Sequence, residues 1–520
     1  NNAFLCQLAW EEMSVWEEMA IAPSSLQDVI LLHIPKPGKI QPSGECCSAD
    51  LRPLTIFSIW WRAWSATWIK NPRFNQFIHQ IMPRGLTLAS KGGCGAECLA
   101  SICDHELSRL GYGVTLDFRS CFDTIDLPLI RDALLATLPP GLHGWINLLI
   151  SHWIKVDKWI GINGHILRTP LNGHTGIPQG DAASPAILSF FLWQGFEEVQ
   201  SELNMMGGQF FQAIYMDDRT VLADRPDLIE AAIHVWHNFA MKRKLIENMS
   251  KLQKVACAEL RPAGYDASME VLGATIGLED PMGLQLDTKQ TKRLNKSFEL
   301  VQRLGILPES KLTKMKDFGV FVMGVYAYGW ISVAPQASYG KELHQTMLQA
   351  IGRLPYGVPQ LKKLLLFTHL DLVEMVLVRQ IRLLARRNFA LSSFAIAVNN
   401  CTLDHMVHLG LRKYGWVCAN GFWSRYGFSF RMSHCLDEMQ WSRIAHAIRD
   451  SIRQWHYFRL MTVRRVGTMR HEMVGQVLPP FDPDRLSLVR KWMRKSTVAT
   501  LLATGSICSA AARLRSQPTH

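Results

Sequence analysis

The stretch QAIYMDDRTVLA, residues 212–223, sets two adjacent carboxylates, Asp217 and Asp218, inside an apolar run. Ala213, Ile214, Tyr215 and Met216 precede them, and Val221 and Leu222 follow. Apolar segments on each side of a tight polar turn read as a β-hairpin. Side by side, like charges repel, and an ionised carboxylate taken out of water is costly unless something pairs with it. Divalent cations remove that conflict because they invert the local electrostatics. Two Mg²⁺ ions about 3.5–4 Å apart, held by carboxylate oxygens and substrate phosphate, serve in-line phosphoryl displacement. Alone, the hairpin reads better as a structural turn. A metal site needs a carboxylate from a neighbouring strand.

VTLDFRSCFD supplies one: Asp117 ends the β-run GYGVTLDF and a turn follows it. A third element is GIPQGDAASPAIL, residues 176–188. There Gly176 and Gly180 bracket a loop whose backbone can approach a ligand closely, and the helix expected after a Ser184 cap offers its N-terminus. Gln179 is placed to bond a base or sugar edge. By itself this is an ordinary Gly/Pro loop before a helix; in order with the other two it joins a site.

DVILLHIPKPGK reads as a strand into a Pro/Gly turn, and LRPLTIFSIWWRAWSATWI as a short strand into an aromatic-rich helix. DLPLIRDALLATL is a helix with Asp126 as its N-cap and a Pro in the first turn. DKWIGINGHILRTPL is a hairpin turning at Asn163-Gly164. A helix from Asp227 to about Leu245 precedes the short strand VLGATIGL. From Asp287 onward the pattern is mainly helical, without repeats or low-complexity linkers. Strand pairs interleaved with helices, then a helical region, predict a mixed α+β core with a helical appendage.

The 520 residues, 48% apolar and 19% charged, describe a globular chain of two to four domains. No apolar stretch reaches the roughly 18 residues that span a bilayer, so no membrane partner is expected. With neither an initiator Met nor a signal pattern, the chain reads as a segment of a longer product. Twelve cysteines without a paired framework point to a reducing compartment, cytoplasm or nucleus. Cys94, Cys98, Cys103 and His105 lack zinc-site spacing and read as the packed face of a helix. Charge is uneven: residues 1–340 hold 30 Lys/Arg and 34 Asp/Glu, whereas residues 341–520 hold 26 and 10. A basic tail with interleaved aromatics (RQWHYFRLMTVRRVG, RKWMRK) suits a polyanion, although a solvated helix surface would look the same.

In this order, VTLDFRSCFD, GIPQGDAASP and YMDD resemble motifs A, B and C of reverse transcriptases, best those of non-LTR (LINE-type) retrotransposons and their group II intron relatives. IPKPGK and LRPLTI are similar to the family's two finger motifs, KLIENMSKLQ to motif D and VLGATIG to the motif E primer grip. The resemblance implies an α+β right-hand polymerase fold: fingers, a palm with an antiparallel sheet, a helical thumb and a basic helical C-terminal region. The corresponding spans are an N-terminal helical extension at 1–29, fingers at 30–110 and palm at 111–280 with a fingers insertion at 126–175. Thumb and post-thumb regions would occupy 281–400 and 401–520.

It also implies an RNA-directed DNA polymerase that extends a primer 3′-hydroxyl with dNTPs on an RNA template, with two Mg²⁺ ions or Mn²⁺ in their place. Asp117, Asp217 and Asp218 would be the catalytic metal ligands, joined by the backbone carbonyl of Phe118. Lys36, Lys39 and Arg52 would hold triphosphate oxygens, Arg52 best, since its planar fork suits phosphate. Phe122 falls at the steric gate that excludes a 2′-hydroxyl, where a core aromatic is the plainer reading. Gln179 and Gly180 would face the incoming nucleotide, and Tyr215, Met216, Leu272 and Gly273 the primer and template. Lys251 is either the acid that protonates pyrophosphate or an exposed helix-end lysine.

The chain departs from the family at Cys121, at Ala182 and Ala183 of motif B, and at Met216, none of which removes a metal ligand. Neither an endonuclease nor an RNase H signature is present, so strand cleavage is not expected. Two alternatives keep the same motifs: a catalytically inactive, reverse-transcriptase-derived RNA-binding scaffold, and an RNA-directed RNA polymerase. Such scaffolds typically lose an aspartate of the site. RNA-directed RNA polymerases place a polar residue where this chain has Phe122.

Overall fold

The structure, a computed structural model, describes residues 2–36, 47, 51–82, 84–87, 95–162, 165–167, 169–171, 173–257, 261–277, 288–308, 314, 317–331, 342–343, 346–347, 350, 372–393, 396 and 402–462. They divide into two units, one of residues 1–99 and 106–272, the other of residues 100–105 and 273 onward.

In the first unit, α1 (Asn2–Met19) is followed by β1 (Asp28–Pro35), β2 (Leu51–Ile56), α2 (Ile59–Lys70), α3 (Pro72–Ile81), α4 (Arg84–Thr87) and the two ends of α5 (Gly95–Leu110), whose residues 100–105 are counted with the second unit. Next come β3 (Tyr112–Leu116), α6 (Cys121–Thr124), α7 (Leu127–Thr137), α8 (His143–Lys155), β4 (Asp157–Ile162) and β5 (His165–Ile166). The unit ends with α9 (Ser184–Met206), β6 (Phe210–Tyr215), β7 (Asp218–Ala223), α10 (Pro226–Lys242), β8 (Gln253–Ala256) and β9 (Met269–Val271).

Local chemistry accounts for several of these boundaries. The Ser58 side chain accepts from the Trp61 amide at 3.2 Å and starts α2. Asp126 caps α7 through the Leu129 amide at 3.1 Å, as the sequence predicts. The predicted Ser184 cap is different. Ser184 is already helical, and its hydroxyl donates to the Pro178 carbonyl at 2.6 Å. Asp181 instead accepts from the Ala183 amide at 2.9 Å, so an aspartate three residues earlier satisfies a donor at the helix start.

Two four-stranded sheets result. One has the order β2-β1-β4-β5, with β1 and β4 parallel and the other pairs antiparallel. The β4–β5 register fits the predicted hairpin, whose Asn163 and Gly164 lie outside the described residues. The other sheet, β6-β7-β3-β8, is wholly antiparallel. One apolar core underlies both and runs from Trp16 through Trp61, Leu116 and Phe190 to Trp236. Helices α9 and α10 pack so closely at Gly195 that a Cβ there would lie 2.3 Å from the Trp236 ring. Cys98, Cys103 and His105 are buried on α5, as a packed helix face should be, and Cys94 lies outside the described residues.

The second unit holds β10 (Ala274–Ile276), α11 (Thr288–Ile306), a π-turn over Phe318–Val322, α12 (Met323–Tyr326), α13 (Leu372–Ser393) and α14 (Thr402–Lys413). A three-stranded antiparallel sheet follows, made of β11 (Val417–Ala419), β12 (Phe422–Arg425) and β13 (Phe428–Phe430), and then α15 (Glu438–Thr462). The helical reading of the C-terminal region holds for α14 and α15 but missed this sheet. Its connections are two-residue turns, Asn420-Gly421 and Tyr426-Gly427, all four residues at positive φ, which is the hairpin geometry that suits strand twist. Residues 463–520 lie outside the described residues. Among the described residues no helix is long and apolar enough to cross a membrane.

Candidate active site

β3 and β7 are neighbours with Leu116 opposite Arg219, and the β6–β7 hairpin closes with Tyr215 opposite Asp218. One further step along that register brings Asp117 level with Asp218, on strands about 4.8 Å apart. The turn between them is Met216-Asp217, with Met216 at φ +57. A non-glycine residue there costs roughly 1 kcal/mol, so the tip that carries the aspartates is held under strain. Asp117 is buried at 7% exposure, Asp217 is half-buried and Asp218 is exposed. The sequence placed both hairpin aspartates in an apolar run; burial in fact begins at Arg219, one residue after the pair.

The three carboxylates feel one another. Asp218 is pushed up to about 6, first by desolvation and then by the charges of Asp217 and Asp117. Asp217 is raised by desolvation and by Asp117, with Lys251 and Arg219 opposing. One cation answers this cluster directly. Lys251 Nζ donates to Asp117 Oδ2 at 2.6 Å, and this bond holds the ammonium above its ordinary range. Its side chain is 66% exposed, so it can leave without unburying anything. Asn248 also donates to Asp117, through Nδ2 to Oδ2 at 3.2 Å and through its amide to the carbonyl at 2.9 Å.

Among the described residues no three His, Cys, Asp or Glu side chains are drawn into a formed metal cage. The donor set nevertheless suits hard cations: carboxylate oxygens on adjacent strand ends, a surplus of negative charge, and a displaceable lysine as partial compensation. In donor chemistry, though not in a formed cluster, these residues are of the kind that divalent ions take.

Phe122 lies on α6, half-buried, and its carbonyl accepts the Ile177 amide at 2.6 Å. Motifs A and B are therefore joined through backbone. Gln179 does not stand free: its Nε2 donates to Asp123 at 3.1 Å and its carbonyl accepts the Thr55 amide at 2.7 Å. Gly180, at φ +135, passes so near β2 that a Cβ would lie 2.3 Å from the Thr55 carbonyl. No other residue fits there. Arg52 is exposed on β2 opposite Ile34, and Lys36 is half-buried just past β1, within electrostatic reach of Asp123. Lys39 lies outside the described residues. Tyr215 is half-buried at the end of β6. Leu272 and Gly273 form a turn at φ +50 and +77.

Several residues escaped the sequence reading. His33 and Lys158 join Lys36 around Asp123. Asp181 is buried at 5% exposure. It accepts from Trp61 Nε1 at 2.7 Å, Trp153 Nε1 at 3.0 Å, the Ser65 hydroxyl and the Ala183 amide. Arg219 is completely buried and pairs with Glu247 in two bonds of 2.9 and 3.0 Å. Its one signal was a charge immediately after the paired aspartates, two residues ahead of the apolar run Val221-Leu222-Ala223.

Residues 34–276 match the family described as reverse transcriptase (RNA-dependent DNA polymerase). No curated protein matches the chain in sequence. Among solved structures it is similar to telomerase from Candida albicans in complex with the TWJ fragment of telomeric RNA, at 11% identity and a TM-score of 0.40. That likeness covers 74% of this chain and 65% of the other, just under two thirds of the telomerase length. Apo telomerase from Candida tropicalis is similar at 11% identity and a TM-score of 0.36, covering 74% of this chain and 68% of that one. The family match takes in the strand-end carboxylates and the loop packed beside them: this chain carries a reverse transcriptase domain.

Proposed function

We propose that this chain is the RNA-directed DNA polymerase of a non-LTR retroelement, related to group II intron enzymes, and that it extends a primer 3′-hydroxyl with dNTPs on an RNA template. The observation that carries this reading is the register that sets Asp117 beside the Asp217-Asp218 tip. Asp117, Asp217 and Asp218, with the Phe118 carbonyl, would hold two Mg²⁺ ions. When bound, these supply charge neutralisation at the triphosphate and a lowered pKa for the primer hydroxyl.

The protein's own groups do the rest. Lys251, released from Asp117, stands ready to give a proton to the departing pyrophosphate. Arg52, Lys36 and Lys39 hold triphosphate oxygens, and Phe122 closes the space a 2′-hydroxyl would need. Gln179, fixed by Asp123, and Gly180 shape the floor beneath the nucleotide. Tyr215, Met216, Leu272 and Gly273 bear on primer and template. Residues 30–110 act as fingers, 111–280 as palm and 281–400 as thumb. The basic residues beyond grip the nucleic-acid backbone, with affinity that falls steeply as salt rises. Cysteine usage fits a reducing compartment, nucleus or cytoplasm.

Primer extension on an RNA template with Mg²⁺, comparing deoxy- with ribonucleotides and including Asp217→Ala, tests this. Deoxy-only extension that depends on Asp217 is expected. RNA binding by a folded protein without extension would instead indicate the inactive scaffold, and ribonucleotide preference an RNA-directed RNA polymerase.

A further inference from the structure

Arg219 follows the paired aspartates directly, and its side chain turns into the core. The guanidinium stacks on the Phe118 ring at 3.5 Å and lies 4.7 Å from the Trp236 ring. Its two terminal nitrogens form the fork on Glu247, which is 8% exposed, while its buried Nε has no hydrogen-bond partner among the described residues. Stability alone is a poor reason for such a pair, because an apolar pair of similar volume commonly does as well. A bidentate fork does fix geometry.

The fork fixes the segment that carries Glu247. Glu247 bridges Phe118 through backbone, and the Arg119 amide donates to the Ile246 carbonyl at 2.8 Å. The next residue, Asn248, bonds Asp117 through both amide and side chain, and Lys251 reaches the same carboxylate. Arg219 thus ties the strand bearing Asp218 to the segment that carries the partners of Asp117.

We infer that Arg219 and Glu247 are a positioning pair that sets where Asn248 and Lys251 stand against Asp117 during nucleotide transfer. The inference rests on the polymerase reading. Neither side chain touches substrate; both act through the 246–251 segment.

The test is the double variant Arg219→Met/Glu247→Leu, which removes both buried charges and keeps volume, beside Arg219→Lys, which keeps charge and loses the fork. Single-turnover extension should slow about 10- to 100-fold in the double variant, with the dNTP concentration at half-maximal rate changed less than about threefold. Lys251→Ala should slow the wild type but add little on the double-variant background, because the lysine is already misplaced there. Wild-type rate in the double variant, or losses that multiply, would overturn the pairing role. Amide hydrogen exchange supplies a reading independent of activity. Residues 246–251 should exchange at least about tenfold faster in the double variant while β3 and β7 keep their protection, and unchanged exchange overturns the inference. A wild type that fails to extend any primer sinks the polymerase reading, and exchange still decides whether the pair holds the segment.

Discussion

Two acidic sites in the first unit solve the same problem in opposite ways. Asp181 is buried among neutral donors: two indoles, a hydroxyl and a backbone amide. Every donor points at it, and the loop between Gln179 and α9 is pinned as a result. The trio at the strand tips has one movable lysine, one amide side chain and mutual repulsion. A carboxylate that is fully satisfied is a fastener. A group of carboxylates left under-compensated is a receptor for positive charge.

This contrast can be broken most sharply at Asp217. Asp217→Ala should cost on the order of 10³-fold or more in extension rate, while the urea unfolding midpoint stays put or rises because a repulsion has gone. Asp181→Ala should do the reverse. It leaves two buried indole N–H groups and a hydroxyl without an acceptor, a loss of about 3 kcal/mol or more in unfolding free energy, and Asp181→Asn should lose roughly half as much. If the two variants fell equally in stability, the distinction between fastener and receptor would fail.

Acid should separate the regions next. His152, buried against Trp61 with ring centroids 3.6 Å apart, is held down to about 3 by desolvation, and its Nε2 has no partner among the described residues. Between pH 6.5 and about 3 the unfolded chain takes up a proton that the folded chain refuses. Stability therefore falls with acid by up to about 1.4 kcal/mol per pH unit. His152→Phe should flatten that slope in urea melts across this window. Asp218 gives the smallest effect, and of opposite sign. Its folded pKa lies above the unfolded one, so between pH 6 and 4 the folded state binds more protons and gains stability as pH falls. Asp218→Asn should remove this small gain, as thermal midpoints measured on top of the His152→Phe substitution would register.

Much of the candidate site's backbone geometry was legible because its signals are local. An apolar run ending in Asp, a loop bracketed by glycines and a two-aspartate turn each announce their own geometry, and their order did the rest. The Asp181 cage was not legible, because its donors come from positions 61, 65 and 153 and meet only in the folded core. The Arg219 partner is likewise 28 residues away. The sheet at 417–430 was a different failure. Asn420-Gly421 between aromatic strands is the same turn signal that was read at Asn163-Gly164, and the surrounding helical periodicity outweighed it.

The indole bonds reach beyond Asp181: Trp64 and Trp68 donate to Glu17 at 2.7 and 2.5 Å, and Trp159 to Asp28 at 2.7 Å. An indole carries no formal charge, so dissolved ions have little to screen in these contacts. Brine strong enough to strip a polyanion from lysines and arginines should therefore leave this scaffold standing, and the folded protein should be recoverable from a concentrated salt wash.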